Sequence, residues 1–475
     1  MGCSKPTPPP QNATPAVEPI VAPAPVAKAP AAPVKVSPPP PAAPAVAPTP
    51  PVQSPPQVEP AKPEQPRVAK EPDAERLLAH GIRRVPGKHV VLFTDHPADA
   101  EVDALPGYFD QAYPQWCDYF GKPEDKSKPW RMNAFLIFDR DRCHAAGLLP
   151  DRLPKFLHGY ALGLELWLYE QTSPYYRRHL LLHEGTHAFM EFAWGGLGPP
   201  WYAEGIAELV ATHQIVDGKL RLNYFPRDAQ EVRGLGRIRL IQNALEAGDR
   251  LTIGDVMAYG HDAHRQVNAY AWSWALAALL ESRPSWRTVF RAQREHLHGG
   301  DFNPQLAGQL GTELPELHDS WAVFTSELTH AYDFERAAIL FQPGKAAATT
   351  STTVRVEAAR GWQSTGLKLV KGKSYRVTAA GQCVVARTDD PWPSEPQGVS
   401  VRYYRGRPLG RLLAVVRPDK FDVQAASPFL APLDIGAEST ITAAVDGTLY
   451  LRINDSPAEL ADNEGSYQVT VTPAR

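Results

Sequence analysis

Two histidines and a glutamate, His183, Glu184 and His187, fall in the order H-E-x-x-H within Leu180-Leu-Leu-His-Glu-Gly-Thr-His-Ala-Phe-Met190. On an α-helix, residues four apart share a face, so both imidazoles can reach one metal ion from one side. Glu184 then sits beside that ion without filling a ligand position, placed to take a proton from metal-bound water. Zinc is the expected metal, because two neutral imidazoles and one carboxylate form an open catalytic set. Zinc lowers the pKa of its water to about 7, which makes hydroxide available at neutral pH. A His-Glu pair on a buried helix can also be plain structure, so the surroundings have to decide.

The motif lies in an apolar run (Leu180, Leu181, Leu182, Ala188, Phe189), as expected of a buried helix. Gly195, Gly196, Gly198, Pro199 and Pro200 end that helix, and Pro200-Trp201 opens a second one. Its sequence, Trp201-Tyr-Ala-Glu204-Gly-Ile-Ala-Glu208, places Glu204 and Glu208 on one face. H-E-x-x-H followed by a short loop and W-x-x-E-G-x-A-E resembles the gluzincin metallopeptidases. The resemblance implies His183, His187 and Glu204 as zinc ligands and Glu184 as general base, acting on a peptide or protein substrate. Sixteen residues separate His187 from Glu204, slightly fewer than in the aminopeptidase and thermolysin-like branches. The metzincin pattern fails, since Met190 and Ala193 stand where it requires Gly and His. Glu208 resembles the carboxylate that orients a ligating His; a solvated helix charge is the other reading. Glu191 and His213 lie nearby and match no ligand spacing.

The elements that must position these residues are legible around them. His89–Thr94 and Met132–Phe138 read as strands, about Ala98–Phe120 as a helix, and Gly159–Tyr169 contains a third strand. From Tyr175 to about Ala338 the chain reads as mostly helical, so the region is α+β. In gluzincins an edge strand just before the metal helix binds substrate backbone by strand addition. The helix beginning Asn268-Ala-Tyr270 resembles the Y-x-x-G-x-A-L helix of the aminopeptidase branch, with Ser273 in place of Gly. That resemblance implies Tyr270 as an oxyanion hydrogen-bond donor; an aromatic core residue is the alternative. His261 and His264 lie in a polar loop just before it. The layout is similar to the peptidase-MA-like bacterial proteins, strongly over 175–210 and loosely over the rest of 85–340.

At 475 residues the chain is expected to hold two or three domains. A net charge of -3 argues against nucleic acid as a partner. No run approaches the ~20 apolar residues of a membrane span. Residues 1–72 carry nearly half of the 49 prolines and read as a disordered Pro/Ala-rich tether. Met-Gly-Cys-Ser resembles the end of a bacterial lipoprotein signal, which implies a lipid anchor through Cys3 and an extracytoplasmic location. The preceding hydrophobic region is absent, and an unmodified Cys is the alternative. Cys117 and Cys143 either pair or are two buried thiols; with Cys383 they form no metal cluster or disulfide framework.

Residues 73–343 are therefore read as the catalytic domain and 350–475 as an all-β sandwich, after a small, polar stretch at 344–352. Alternating runs at Thr353–Glu357, Ser374–Thr378, Val399–Tyr403, Leu449–Ile453 and Tyr467–Val471 support the sandwich. Trp362-Gln-Ser-Thr-Gly366, Pro408-Leu-Gly410 and Leu449–Asp455 followed by Asp462-Asn463-x-Gly465-Ser-Tyr467 resemble the PA-IL-like galactose-binding lectins. The resemblance implies a calcium ion held by Asp455, the Glu459 carbonyl, Asp462 and Asn463, and a carbonyl near Val384 or Val385. It implies galactose or a related glycan as a partner, with Gln397 matching a sugar-contacting Gln; Ser394 or Glu395 stands where the lectin has His. An acidic surface turn is the alternative for the calcium loop. The whole reads as a zinc peptidase targeted by a carbohydrate-binding-like module. The alternative is a non-catalytic cell-surface carbohydrate-binding protein with a degenerate zincin domain.

Overall fold

The first strand core forms because two mainly apolar runs lie side by side in parallel. Val90–Thr94 (β2) and Met132–Ile137 (β3) are buried along their whole length, the pattern of strands covered on both faces. The computed structural model describes residues 67–475 apart from 126, 128, 261–265, 347–349, 389 and 475; the tether to residue 66, Cys3, His261 and His264 lie outside the described residues.

The chain enters through α1 (Ala74–Ala79), β1 (Arg83–Pro86) and β2, then α2 (Ala100–Asp103), α3 (Leu105–Phe120), β3 and α4 (Arg140–Ala145). A hairpin follows, β4 (Gly159–Leu162) and β5 (Glu165–Tyr169), turning at Gly163 with φ 60. The sheet order is β1-β2-β3-β5-β4, so β4 is an edge. The sequence predicts one strand here; the left-handed Gly163 divides it into two. It also predicts one helix over about 98–120, and Pro106 in the first turn of α3 breaks that into two. Residues 67–72, read as tether, pack on the sheet: Val68 bridges Arg131, Ala69 is buried and Glu71 pairs with Arg84.

Next come α5 (Pro174–Trp194), α6 (Pro200–Ala211), a small hairpin β6 (Gln214–Val216) and β7 (Lys219–Arg221), then helices α7 (Arg237–Glu246), α8 (Ile253–Met257), α9 (Val267–Ser282), α10 (Pro284–Ala292), α11 (Phe302–Leu310), α12 (Leu314–Ser326) and α13 (Phe334–Ala337). Ser173 caps α5, Pro174 occupies its first turn, and Gly195 ends it in the left-handed conformation. Helix α5 approaches α3 through Gly185, where a Cβ would lie 2.6 Å from Phe109 and 2.8 Å from Trp116. Helix α6 approaches α9 through Gly205, where a Cβ would lie 2.7 Å from the Ser273 carbonyl oxygen. The metal-motif helix and its neighbour are thus held at separations that only glycine permits.

The rest is β-rich. Strands β8 (Lys345–Ala346), β9 (Thr352–Glu357), β10 (Gln363–Leu369), β11 (Ser374–Ala380), β12 (Cys383–Arg387), β13 (Pro391–Ser394), β14 (Val399–Tyr404), β15 (Arg407–Leu409), β16 (Leu412–Pro418), β17 (Leu433–Asp434), β18 (Glu438–Thr442), β19 (Gly447–Ile453) and β20 (Glu464–Pro473) form two main sheets and one hairpin. The sheet orders are β17-β16-β19-β10-β8 and β13-β12-β20-β11-β18, with β9 on β20 and β14 paired only with β15. One apolar cluster, including Val377, Leu412, Leu449, Leu451, Tyr467 and Val469, lies between the sheets. Cys117, Cys143 and Cys383 are buried free thiols, so the pairing of Cys117 with Cys143 does not form.

The α+β and β-rich regions pack on each other within the unit Glu64–Arg475. Val323 of α12 and Ile339 join Trp362, Leu413, Val415, Phe429 and Tyr450 in one cluster. Leu460 of the β19–β20 loop is fully buried in the core of the α+β region. Asp319 of α12 accepts from Arg417 Nε at 2.7 Å and Ser427 Oγ at 2.6 Å. Burial alone would raise the Asp319 pKa; His318, Ser427 and Arg417 outweigh it and hold the carboxyl below its ordinary range. Asp319→Ala should cost about 2–4 kcal/mol of unfolding free energy in denaturant titrations at pH 7, since Arg417 and Ser427 lose their acceptor. A depressed folded pKa contributes stability above the unfolded value of about 3.9 and loses it as pH falls through the folded value. Asp319→Asn should therefore narrow its deficit against the wild type as the pH drops below about 4.

Candidate functional site

Helices α5 and α6 converge on one point. His183 Nε2 lies 3.2 Å from Glu204 Oε2, His187 Nε2 lies 3.4 Å from the same oxygen, and the two Nε2 atoms are 3.2 Å apart. A tetrahedral ion with bonds of about 2.0–2.1 Å sets its ligand atoms about 3.3–3.4 Å apart, so this triangle has the size such an ion requires. Glu204 Oε2 is buried and has no hydrogen-bond partner among the described residues. The shortened spacing from His187 to Glu204 is thus no obstacle: the sharp turn at Gly195–Pro199 brings α6 straight back alongside α5.

Glu208, one turn beyond Glu204, is buried and not a solvated charge. Its Oε1 lies 3.2 Å from His183 Nδ1 and its Oε2 3.3 Å from His179 Nε2. Arg237, at the start of α7, donates to both oxygens at 2.8 Å. His183 therefore faces Glu208 with one ring nitrogen and the Glu204 triangle with the other. This is the arrangement in which a carboxylate fixes a ligand's tautomer and ring orientation. His179, His183 and Glu208 also lie close enough to form a second metal-capable group, but Arg237 already occupies Glu208. His179 and Arg237 are absent from the sequence reading. His179 had a signal, since 179, 183 and 187 repeat every four residues; Arg237, 29 residues from its partner, had none.

Electrostatics agree with a cation site. Burial alone would lower the pKa of His183, but Glu204 and Glu208 outweigh it and take it to about 10. Burial likewise opposes ionisation of Glu204, yet His187 and His183 bring its carboxyl to about 2. Carboxylates that draw a proton onto His183 draw a metal ion in its place, with release of that proton. Burial raises the pKa of Glu184, against the pull of the nearby His183 and His187. Glu184 abuts the sheet edge: a Cβ on Gly159 of β4 would lie 2.5 Å from its Oε1.

Tyr270 of α9 stands at the site's flank. Its ring is 5.9 Å from the His183 ring, the Arg237 guanidinium lies 5.4 Å from its centroid, and burial raises its pKa far above the ordinary phenol range. Glu191 is exposed. His213 is buried, bonds the Ala211 carbonyl, stacks on Tyr175 and is pushed down to about 3 by burial, so it is a neutral structural histidine.

The β19–β20 loop brings the other residues together in part. Asp455 is fully buried; it accepts from Asn463 Nδ2 at 2.7 Å and Ser456 N at 2.6 Å, and burial raises its pKa to about 6. Asp462 Oδ2 accepts from Arg387 N at 2.9 Å, while Asp462 Oδ1 and Asn463 Oδ1 are buried without partners among the described residues. The Glu459 side chain pairs with Arg402. Gln397 is exposed and bonds Glu395 at 2.7 Å; no contact joins it to the Asp455 loop among the described residues.

No protein-family model and no curated protein matches the sequence. Among solved structures the chain is similar to the EclA N-terminal domain, described as a PllA-like lectin, at 19% identity and TM-score 0.21, over 27% of this chain and 100% of that one. It is also similar to an aminopeptidase N family protein from Idiomarina loihiensis, at 11% identity and TM-score 0.24, over 82% of this chain and 68% of that one. Neither likeness is close enough to bear on chemistry.

Purified protein should carry one divalent metal ion per chain by elemental analysis. His187→Ala and Glu204→Ala should each reduce that below about a tenth. His213→Ala should keep it.

Proposed function

We propose that the chain is a zinc-dependent peptidase. The triangle of His183, His187 and Glu204, with Glu184 beside it and outside it, carries this reading. A structural zinc site normally takes four protein ligands, whereas three ligands plus a neighbouring carboxylate suit catalysis. Bound zinc would act as a Lewis acid and make water acidic enough to ionise near neutral pH.

The chain's own residues supply the rest. Glu184, desolvated and unpaired with any Arg or Lys among the described residues, is a stronger base than an exposed carboxylate and takes the proton of the attacking water. Gly159 leaves room for that carboxylate against β4. The free edge of β4 offers backbone donors and acceptors to an extended peptide, which would add to the sheet as a further strand. Tyr270 donates to the oxygen that gains charge as the carbonyl is attacked. Glu208, held by Arg237, keeps the His183 ring turned toward the zinc position.

The β-rich region fits a calcium ion at Asp455, the Glu459 carbonyl, Asp462 and Asn463. The support is three buried carboxylate or amide oxygens in one loop, two of them without a donor. Calcium takes six to eight such oxygens. A galactose-type glycan is the proposed ligand of this lectin-like module, and Gln397 would turn from Glu395 to reach it. The Pro/Ala-rich segment that precedes residue 67, lipidated at Cys3, would hold both parts outside the cytoplasm.

Glu184→Gln should keep the metal and lose about 10²–10⁴-fold in hydrolysis of a mixed peptide library. Wild-type turnover in that variant would remove Glu184 as the base, whereas no hydrolysis by the metal-loaded wild type would leave a binding protein as the better reading. Calcium should raise the melting temperature of the wild type and leave that of Asp455→Asn unchanged, by calorimetry in chelator-treated buffer. Galactose added afterwards should shift it further; calcium binding with no galactose response would remove the sugar ligand and keep the ion.

A further inference from the structure

The seam between the α+β and β-rich regions holds a polar cavity of about 300 Å³. Its walls include Arg405, Arg407 and Arg452 against a single carboxylate, Glu327, with the Trp362 and Phe429 rings and Asn454 between them. Arg452 pairs with Glu327, and Arg407 Nε lies 3.2 Å from Asp434 Oδ1, which leaves Arg405 without a carboxylate partner among the described residues; guanidiniums crowded in this way repel one another unless an anion joins them.

Three buried polar atoms in this wall, Arg452 Nε, Glu327 Oε2 and Arg407 Nε, have no hydrogen-bond partner among the described residues. Arg452 is buried in β19, its side chain 4% exposed. It donates Nη1 to Glu327 Oε1 at 2.6 Å and Nη2 to the Asp455 carbonyl. Its Nε, and Glu327 Oε2 across the pair, have no hydrogen-bond partner among the described residues. The contact is end-on and leaves one buried donor and one buried acceptor, each costly to leave unsatisfied.

The backbone adds an independent sign. Arg405 and Gly406 form the two-residue tip between β14 and β15, with φ 51 and φ 75. Such a tip favours Asn-Gly, and an Arg in the left-handed region is strained. The strained residue puts its guanidinium on the Ser326 carbonyl, at the edge of the same cavity. Strain retained at a wall of charged groups points to a role in binding.

We infer that this cavity binds a small oxyanion that also carries a hydroxyl, such as hydrogen phosphate. Its oxygens accept from Arg452 Nε, Arg405 and Arg407, and its hydroxyl donates to Glu327 Oε2. Ser326 and Glu327 belong to the α+β region and the arginines to the β-rich region, so the anion ties the two together. The inference is independent of any metal at His183.

The test is thermal unfolding and calorimetric titration of the full chain with inorganic phosphate and, separately, sulfate, at matched ionic strength. Sulfate has the same shape but no proton at neutral pH. Phosphate should bind one site per chain and raise the melting temperature, about tenfold more tightly than sulfate, the margin of one hydrogen bond to a charged group. Arg405→Ala, at an exposed hairpin tip, should fold and lose most of the phosphate-dependent shift. Glu327→Gln turns the acceptor into a donor and should reverse the order, with sulfate then preferred. No phosphate response, an equal response to the two anions, or a shift unchanged in Arg405→Ala would overturn the assignment. The last outcome also separates this cavity from anion binding at a metal centre, which Arg405→Ala leaves intact.

Discussion

The buried pair between Arg237 and Glu208 is the constraint on which the rest of the metal-capable site depends. An ionised carboxylate in the interior is tolerated only when charge and hydrogen bonds surround it. Glu208 is 2% exposed and receives two bonds from Arg237 at 2.8 Å. With its charge matched there, it can turn His179 and His183 of the neighbouring helix. Removing one partner of such a pair costs about 3–5 kcal/mol, because the other charge stays buried alone. The pair spans α6 and α7, and through the two histidines it also sets α5. Once His183 gives up its proton, the charge left at the site is that of Glu184 and Glu204, which a divalent cation balances.

Helix spacing is the second requirement. Gly185 lets α5 settle against Phe109 and Trp116, and Gly205 lets α6 lie on the Ser273 carbonyl. Both glycines sit inside the chemical motifs, one between the two histidines and one directly after Glu204. A glycine within a helix lowers its intrinsic stability by roughly 1 kcal/mol relative to Ala. Here the close approach offsets that loss and brings ligands from two helices to within 3.2–3.4 Å. The same helices bury their apolar sides in the main core, so packing and chemistry fix the same geometry.

Much of this was legible in the residue order. His183, His187 and Glu204 meet because helical periodicity and the Gly/Pro break between the helices are local features. Alternating strands such as β9, β11 and β20 were legible for the same reason. Strand β16 was not, because Leu412–Val415 is buried throughout and shows no alternation. Arg237 gives no sequence signal because its role exists only after α7 folds back on α6. Leu460 likewise looks like a loop residue in sequence, yet it is buried in the core of the other region, and Pro457 accepts from the backbone of Asp333 beside it. The loop that bears Asp455 is therefore part of the seam between the two regions, which residue spacing alone does not reveal.

The central claim is that one metal ion sits where the His183, His187 and Glu204 side chains converge. Anomalous diffraction at the zinc absorption edge, on crystals grown with equimolar zinc, tests it most directly. The account predicts one strong peak about 2.0–2.2 Å from His183 Nε2, His187 Nε2 and Glu204 Oε2, with Glu184 outside the bonding shell. A peak between His179 and Glu208, or full zinc occupancy elsewhere with none at this triangle, would contradict it.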